Sequence, residues 1–302
     1  MISLSTFLIL MVLDQAPIER GNQVRTIGTG DQKRTYILHV PPQFEPKKQI
    51  PLVIAFHGGG GNATKLSKGI GLSKKADEAG FLVAYPNGTG WFEEAYTFNA
   101  GNCCGYARDL NIDDVAFTRM MLDDISKEAS IDKKRVFATG VSNGGMMAYR
   151  LASELSDRIA AIAPVSGTMG TRNCHPKCPV SVMHIHGTED EYIPFNGGMG
   201  KGFSGTDFYS VDHSIQAWVK ANRCDKEPKV EKIPDTAKDG TSITLKTYGS
   251  GMEGTEVVLV AVEGGGHTWP GLRTRLPELG KSTSNISAND VIWDFFVKHP
   301  KK

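Results

Sequence analysis

A serine, an acid and a histidine that could share the work of nucleophilic hydrolysis lie in separate glycine-rich motifs. The serine belongs to a G-x-S-x-G motif, Gly140–Gly144, with Ser142 at its centre. An apolar run over Arg135–Thr139 predicts a strand before the motif, and Asn143–Leu155 has the pattern of a helix. A strand, a sharp turn and a helix in this order lift the serine hydroxyl above the end of a sheet. We therefore predict that Ser142 is a nucleophile rather than part of an ordinary glycine turn.

The acid lies in a second motif, His186–Asp190, which follows a predicted strand at Ser181–Ile185. The carboxyl ends of strands in an α/β sheet form the edge at which ligands bind. A carboxylate at this edge can accept a hydrogen bond from a catalytic histidine and fix its tautomer. Glu189 and Glu191 are alternatives by residue type, but the H-G-x-x-D spacing favours Asp190.

The histidine is His267, which follows three consecutive glycines, Gly264–Gly266. A predicted strand, Glu256–Val262, precedes these glycines, so the loop could deliver an imidazole to the same edge of the sheet. The order Ser, Asp, His along the chain is that of α/β-hydrolases, and it differs from the orders of trypsin-like and subtilisin-like enzymes. We predict that His267 takes the proton of Ser142, with no metal or organic cofactor.

A fourth motif, His57–Gly61, has the sequence HGGGG and follows an early predicted strand. Such a loop can place backbone N–H groups at ~3 Å from a developing oxyanion. We expect Gly59 to be one donor, with Gly60 as the alternative, and the N–H of Asn143 to be the other. His57 is expected to orient the loop. A phosphate-binding loop is disfavoured because no Gly-Lys-Ser/Thr follows.

Aromatic residues near these motifs could contact a substrate. Trp269 follows His267 by two residues, and Trp91 lies in a loop after a predicted strand at Phe81–Tyr85. A planar acyl group would stack on such rings. We predict substrate contacts for both tryptophans, and ordinary packing is the alternative for each.

Predicted strands and helices alternate along the chain, which indicates a mostly parallel sheet covered by helices on both faces. This is the α/β-hydrolase arrangement, and we expect one catalytic domain over residues 21–302. The remaining predicted strands are Thr35–Val40, Leu52–Phe56 and Ile159–Pro164, and the remaining helices are Asp113–Glu128, Ser214–Ala221 and Ala288–Val297. We predict a loop at Asn196–Gly205 and a polar surface excursion at Lys226–Lys238.

The composition is that of an ordinary globular protein, with 302 residues of which 40% are hydrophobic and 22% charged. A formal net charge of +1 gives no field that would attract nucleic acid or an anionic membrane, and we expect neither partner. The apolar stretch at residues 4–13 is too short to span a bilayer. We interpret residues 1–20 as a degenerate signal segment and expect a secreted, monomeric protein.

Five cysteines occur, at 103, 104, 174, 178 and 224, without a CxxC pair. Their spacing does not fit a zinc site, and we expect no bound metal. An odd number leaves at least one thiol unpaired within the chain. We expect one or two disulfides, with buried free cysteines as the alternative.

The motifs together resemble those of secreted polyhydroxybutyrate depolymerase-like and feruloyl esterase-like proteins, akin to carbohydrate esterase family one. The resemblance covers roughly residues 34–269. It is carried by His57–Gly61, Tyr85–Gly88, Asn99–Gly105, Asp113–Val115, Gly140–Gly145, His186–Asp190 and Gly266–Pro270. It implies an extracellular α/β-hydrolase with the triad Ser142, Asp190 and His267, and it adds Asn99 as a substrate-binding candidate.

The resemblance implies small-molecule or polysaccharide-linked esters as substrates, and feruloyl or related cell-wall esters are the leading expectation. The alternatives are 3-hydroxyalkanoate oligomers and acetylated xylan, which sequence alone separates poorly because loop shape decides the substrate. A hydrolase-fold binding protein without catalysis is the non-enzymatic alternative. Such proteins usually lack a triad member, whereas all three are present here.

Overall fold

The computed structural model describes residues 18–28, 33–92, 94–202, 204–274 and 276–302. Residues 1–17 of the predicted signal segment lie outside the described part of the chain. No helix among the described residues is long and apolar enough to cross a membrane.

One ten-stranded sheet forms the centre of the described structure. The strands in chain order are β1 (Gly21–Ile27), β2 (Arg34–Val40), β3 (Ile50–Phe56), β4 (Leu82–Pro86), β5 (Thr89–Phe92), β6 (Ala95–Thr97), β7 (Ile131–Val141), β8 (Ala161–Val165), β9 (Ser181–Gly187), β10 (Gly198–Met199), β11 (Asp207–Phe208), β12 (Lys229–Ile233), β13 (Ser242–Tyr248) and β14 (Val257–Glu263). The order across the sheet is β1-β2-β4-β3-β7-β8-β9-β14-β13-β12. Strands β4 to β14 of this order run parallel, and antiparallel pairs flank them on both sides. Strands β5 with β6 and β10 with β11 form two separate hairpins.

Helices cover both faces of this sheet. They are α1 (Ala63–Gly69), α2 (Leu72–Ala79), α3 (Gly105–Asp109), α4 (Asp114–Ser126), α5 (Asn143–Glu154), α6 (Val211–Asn222) and α7 (Ala288–Lys298). Helices α4, α5 and α6 share one apolar core with one face of the sheet, and α1, α2 and α7 share a second core with the other face. The predicted α/β-hydrolase architecture is therefore confirmed.

The central strands are apolar without alternation because both of their faces are covered. Every residue of β3, β4, β8 and β9 is buried. Within β3, Ile54 packs into the core with α5, whereas its neighbours Val53 and Ala55 pack into the core with α7. Continuous apolar runs of this kind are typical of parallel sheets between helix layers.

The edges of the sheet differ from the sequence-based prediction. The segment predicted as a surface excursion contains β12, which pairs with β13, so that part of the prediction was wrong. Four of the five side chains of β12 are exposed and the strand carries three charged residues, so it lacks the apolar signal of a strand. Its backbone pairing alone makes it part of the sheet. The predicted loop at Asn196–Gly205 is largely irregular and includes the two-residue strand β10.

A buried ion pair ties β2 to the start of α4. The Arg34 guanidinium donates to Asp114 Oδ1 at 2.8 Å and lies 4.0 Å from the ring centre of Phe117. The backbone N–H of Asn99 donates to Asp114 Oδ2 at 2.7 Å. Burial raises the pKa of the fully buried Asp114 carboxyl above its usual value, and the charge of Arg34 opposes that rise. The pair therefore holds three separate chain segments together.

We predict that Arg34→Met strongly destabilises the fold because it leaves the Asp114 carboxylate buried without its partner. Removing one partner of a buried pair costs about 3–5 kcal/mol, which urea denaturation would measure as a lower free energy of unfolding. The control is Arg119→Met. Arg119 and Asp157 form a pair that is about half exposed, at 46% and 49%, so its loss should cost at most about 1 kcal/mol. Equal losses in the two variants would contradict the prediction.

Candidate active site

Ser142 occupies a strained turn between β7 and α5. Its backbone has φ 58° and ψ −126°, a conformation that residues other than glycine rarely adopt. Gly140 and Gly144 permit the turn because a Cβ on either would lie 2.7 or 2.1 Å from the carbonyl oxygen of Phe56. The turn therefore sits directly against β3, as the G-x-S-x-G motif predicts.

Backbone hydrogen bonds hold the serine on both sides. The Ser142 N–H donates to the carbonyl of Val165 at 2.9 Å, and the Ser142 carbonyl accepts from the N–H of Met146 at 3.0 Å. The first bond ties the turn to β8, and the second is the opening bond of α5. The strained residue thus has a fixed backbone, while its side chain stays accessible at the sheet edge.

Asp190 lies in the loop after β9 and is 4% exposed. Its Oδ1 accepts from the N–H groups of Tyr192 and Ile193, each at 2.9 Å. Its Oδ2 lies 2.8 Å from Nδ1 of His267 and 3.3 Å from Nε2 of His186. Burial by itself would raise the pKa of Asp190, but hydrogen bonds from His186 and His267 hold the pKa well below its ordinary range. Asp190 is therefore an ionised acceptor for His267 at neutral pH.

The loop after β14 delivers His267 to this acid. The His267 N–H donates to the carbonyl of Leu279 at 2.7 Å, and a Cβ on Gly266 would lie 2.1 Å from the same carbonyl oxygen. The N–H of Glu189 donates to the carbonyl of Gly265 at 2.8 Å. The loops that carry the acid and the histidine are therefore bonded to each other. With Nδ1 turned to Asp190, the ring has Nε2 left to accept a proton.

Ser142 and His267 border one cavity of about 600 Å³. Its other apolar or aromatic lining residues are Leu66, Ile70, Val141, Tyr192, Trp269, Leu272, Leu276 and Leu279. Among the hydrogen bonds of the described residues, none joins Ser142 to His267. Such bonds are often long before substrate binds and shorten in the complex, so the shared cavity is the relevant observation.

The HGGGG loop borders the same cavity. The N–H of Gly60 donates to the carbonyl of Tyr96 at 2.9 Å, so it is engaged within the protein. Gly59 lines the cavity, and its Cβ position lies 3.9 Å from Cβ of Asn143. Asn143 is the first residue of α5, where backbone N–H groups have no partner within the helix. This geometry favours Gly59 over Gly60 as the partner of Asn143.

His57 is 1% exposed and supports the HGGGG loop through hydrogen bonds. Its Nε2 accepts from the N–H of Gly88 at 3.1 Å, and its Nδ1 lies 2.8 Å from the carbonyl oxygen of Gly58. Nδ1 must therefore carry the hydrogen. Burial lowers the pKa of His57 to about 4, so the ring is neutral at pH 7. The contacts place His57 in the support of the loop and away from proton transfer.

Of the three residues predicted to contact substrate, Trp269, Trp91 and Asn99, only Trp269 borders the cavity beside Ser142. Trp269 borders the cavity, where its Nε1 donates to Oδ1 of Asn289 at 3.2 Å. Trp91 lies outside the cavity, is 74% exposed on the β5–β6 hairpin, and packs edge-on against Tyr106. Asn99 is buried beside a different cavity, with its side chain committed to neighbouring loop residues. The hairpin and the anchored backbone of Asn99 turn these two residues away from Ser142.

Sequence reasoning missed most of the cavity wall. Tyr192, whose ring centre lies 5.3 Å from that of His267, follows the acid motif closely and could have been suspected. The leucines at 272, 276 and 279 have the i, i+4, i+7 spacing of a helix face, but the described residues of this segment are irregular apart from a short 3-10 helix at Pro277–Leu279. Their spacing therefore does not indicate that they face a cavity.

The cysteines form one disulfide, between the adjacent residues Cys103 and Cys104. The sequence predicted one or two disulfides. Cys174, Cys178 and Cys224 are free thiols. The Asn143 side chain donates to the carbonyl of Phe98 at 2.9 Å, which ties the disulfide-bearing loop to the start of α5. The described residues include no cluster of three or more side chains that could hold a metal ion.

The fold and this arrangement of side chains define an α/β-hydrolase with a serine at its nucleophile turn. A model of the phospholipase/carboxylesterase family matches residues 109–202. The putative esterase NocK of Nocardia uniformis subsp. tsuyamanensis is 32% identical over 292 residues, which cover 90% of this chain and 82% of NocK. Feruloyl esterase B of Piromyces equi is 31% identical over 242 residues, which cover 78% of this chain and 42% of that enzyme.

Among solved structures, the acetyl xylan esterase from Aspergillus awamori shares the fold with a TM-score of 0.59 and 15% identity. The match covers 91% of this chain and 99% of that one. The chain belongs to the same family of α/β-hydrolase esterases as NocK and is a carboxylic ester hydrolase.

We predict that in His57→Gln the free energy of unfolding decreases less on acidification than in the wild type. Burial lowers the pKa of His57 in the folded protein to about 4, below the ordinary histidine value of 6.5, so the folded protein binds this proton less readily than the unfolded chain. The neutral, buried His57 therefore contributes its full stabilisation above pH 6.5. Its contribution to the free energy of unfolding falls by roughly 3 kcal/mol as the pH drops to 4. Glutamine does not titrate, so the free energy of unfolding should change less with pH.

Urea denaturation between pH 7 and pH 4 would measure this slope. The burial of His184 lowers its pKa in the same direction, so some pH dependence should persist in the variant. His213→Gln, at an exposed position, is the control and should leave the slope unchanged. A slope in His57→Gln equal to that of the wild type would contradict the prediction.

Proposed function

We propose that this protein hydrolyses feruloyl or related plant cell-wall esters through an acyl-enzyme on Ser142. The single observation that supports this most strongly is the 2.8 Å contact between His267 Nδ1 and Asp190 Oδ2, in a cavity that Ser142 also borders. An imidazole held by an ionised carboxylate beside an accessible serine is the arrangement of a general base and its nucleophile.

In the first half of the reaction, His267 Nε2 takes the hydroxyl proton of Ser142 as Oγ attacks the ester carbonyl carbon. The negative charge that develops on the carbonyl oxygen is stabilised by the N–H groups of Gly59 and Asn143. Asp190 stabilises the imidazolium and keeps its ring orientation. The tetrahedral intermediate collapses as the carbon–oxygen bond to the alcohol breaks, and the imidazolium gives its proton to the leaving alcohol.

In the second half, water takes the place of the alcohol. His267 removes a proton from the water as its oxygen attacks the acyl carbon, and the same two N–H groups stabilise the second oxyanion. Breakdown of that intermediate returns the proton to Oγ of Ser142 and releases the carboxylic acid. The net reaction consumes one ester and one water and needs no cofactor.

The cavity wall supports an apolar, planar acyl group. Trp269 offers an indole on which an aromatic ring could stack, and five leucine or isoleucine residues are among the other lining residues. A volume of about 600 Å³ lies within the range of small-molecule sites. Lys65 and Arg273 also border the cavity, so a cationic acyl group is disfavoured.

A panel of esters tests both the chemistry and the substrate. We expect methyl ferulate to be hydrolysed with a higher kcat/KM than p-nitrophenyl acetate, acetylated xylan or a 3-hydroxybutyrate oligomer, because only ferulate has a planar aromatic acyl group for the apolar wall and Trp269. Ser142→Ala should lower kcat on the order of 10⁵–10⁶-fold. Ser153→Ala, further along the same helix, is the matched control and should retain activity.

The outcomes separate the alternatives. Fastest cleavage of the 3-hydroxybutyrate oligomer or of acetylated xylan would replace the feruloyl assignment and keep Ser142 as nucleophile. Activity that persists in Ser142→Ala would contradict the assignment of the nucleophile. A wild-type protein that cleaves no ester and does not react with a serine-directed phosphonate would support the non-catalytic alternative.

We also propose that the protein acts outside the cytoplasm as a monomer on small-molecule or polysaccharide-linked esters. The apolar stretch at residues 4–13 and the Cys103–Cys104 disulfide support this, since disulfides persist in oxidising compartments. Cell fractionation of the host with intact-mass analysis should find the oxidised protein in the exported fraction, and light scattering should give the mass of one chain. A reduced protein confined to the cytosolic fraction would contradict the export.

A further inference from the structure

A row of buried side chains behind Asp190 takes no part in the mechanism above. It runs from Tyr149 on α5 to His184 and His186 on β9, and none of the three is more than 1% exposed. The Tyr149 hydroxyl lies 2.6 Å from Nδ1 of His184, and Nε2 of His184 lies 2.9 Å from Nδ1 of His186. Nε2 of His186 lies 2.8 Å from the carbonyl oxygen of Ile193. We call these three residues the relay.

The carbonyl of Ile193 fixes the direction of every hydrogen bond in the relay. A carbonyl oxygen only accepts, so Nε2 of His186 carries a hydrogen, and we assign Nδ1 of that ring as an acceptor. Nε2 of His184 must then be the donor to that Nδ1. By the same reasoning, Nδ1 of His184 accepts, and the Tyr149 hydroxyl donates to it.

Burial supports the neutral forms that this assignment requires. It lowers the pKa of His184 well below the ordinary range of histidine and raises the pKa of Tyr149 well above its ordinary value. The phenol therefore keeps its proton, and the His184 ring carries one hydrogen. All donors in the row point the same way, from α5 towards the active site.

The relay meets the triad at one oxygen atom. Nε2 of His186 lies 3.3 Å from Oδ2 of Asp190, the oxygen that accepts from His267 Nδ1 at 2.8 Å. That N–H is bonded to the carbonyl of Ile193, but its positive end lies close enough to withdraw negative charge from this oxygen. The carboxylate then stabilises a protonated His267 less than it would without the His186 ring.

We propose that Tyr149, His184 and His186 are positioning residues that orient Asp190 and set how strongly it stabilises protonated His267. The inference rests on the proposed function, because it concerns the same base and acid. Asp190 and the Tyr192 ring face His267, and Lys65 and Arg273 border the same cavity. Cys174 is the further titratable group that acts on Tyr149.

The pH dependence of kcat/KM on a neutral ester tests the proposal. Activity requires neutral His267, so it falls as the pH drops through the acidic limb of the profile. His186→Leu removes the polar N–H group beside Oδ2, so the carboxylate should stabilise the imidazolium further. We expect the acidic limb to move to higher pH, by on the order of half a pH unit. Tyr149→Phe should move it in the same direction by less, because His186 still donates.

Rescue and control variants distinguish this role from loss of packing. His186→Gln keeps an N–H donor and should return the limb towards the wild-type position. His39→Leu is the matched control, because His39 is also a buried imidazole with its Nε2 on a carboxylate, that of Asp77 at 2.8 Å. It lies on β2, away from the site, so it should lower Tm without moving the limb. A folded His186→Leu with the wild-type limb would overturn the proposal, as would an equal shift in His39→Leu.

A second readout needs no turnover. The ¹⁵N chemical shifts of the imidazole rings report their tautomers, and we expect Nε2–H at both His184 and His186. The proton resonance of His267 Nδ1–H should change position in His186→Leu and stay in place in His39→Leu. A hydrogen on Nδ1 of His186, or an unmoved resonance, would overturn the relay. Failure of the ester panel would contradict the proposed function and leave these spectra as an independent test.

Discussion

The close approach of α5 to β3 is the constraint on which the active site depends. Holding Ser142 at φ 58° costs about 1–3 kcal/mol, and that cost must be offset by the structure around it. Gly140 and Gly144 allow the close approach because neither has a Cβ that would clash with the Phe56 carbonyl. The helix then begins at Asn143, whose N–H group has no partner within the helix and lies next to Ser142 in the chain.

The positions of Asp190 and His267 depend on each other. The loop after β9 and the loop after β14 share hydrogen bonds, from the Glu189 N–H to the Gly265 carbonyl and from the Gly264 N–H to the Thr188 hydroxyl. Since β9 and β14 are parallel neighbours, both loops leave the same edge side by side. The distance between Asp190 and His267 is therefore set by the pairing of two strands and by bonds between the loops that follow them.

The sequence predicted the parts of the structure that leave an apolar or spacing signal. Strands such as β3 and β9 are buried on both faces, so their apolar runs identified them closely. The triad candidates were found because each motif directly follows a strand. The edge strand β12 was missed because its side chains are exposed. The cavity leucines at 272, 276 and 279 were missed because their spacing resembles a helix face, whereas the backbone there is mostly irregular.

Long-range geometry explains the remaining differences. Trp91 was predicted to contact substrate because it lies in the loop after a predicted strand. In the structure, the β5–β6 hairpin places its ring against Tyr106. The relay is a set of contacts that no pattern in the sequence predicted. Tyr149 is one of many apolar-face residues in a helix pattern, and only the packing of α5 on β9 brings its hydroxyl to His184. Contacts between elements far apart in sequence cannot be read from either segment alone.

Residue 279 combines two roles that use different atoms. The backbone carbonyl of Leu279 accepts from the N–H of His267, while its side chain borders the cavity. Any residue at this position supplies the same carbonyl, so the catalytic histidine stays anchored whatever side chain is present. Substrate preference in this family can therefore diverge through mutation at this position without a matching loss of catalytic competence.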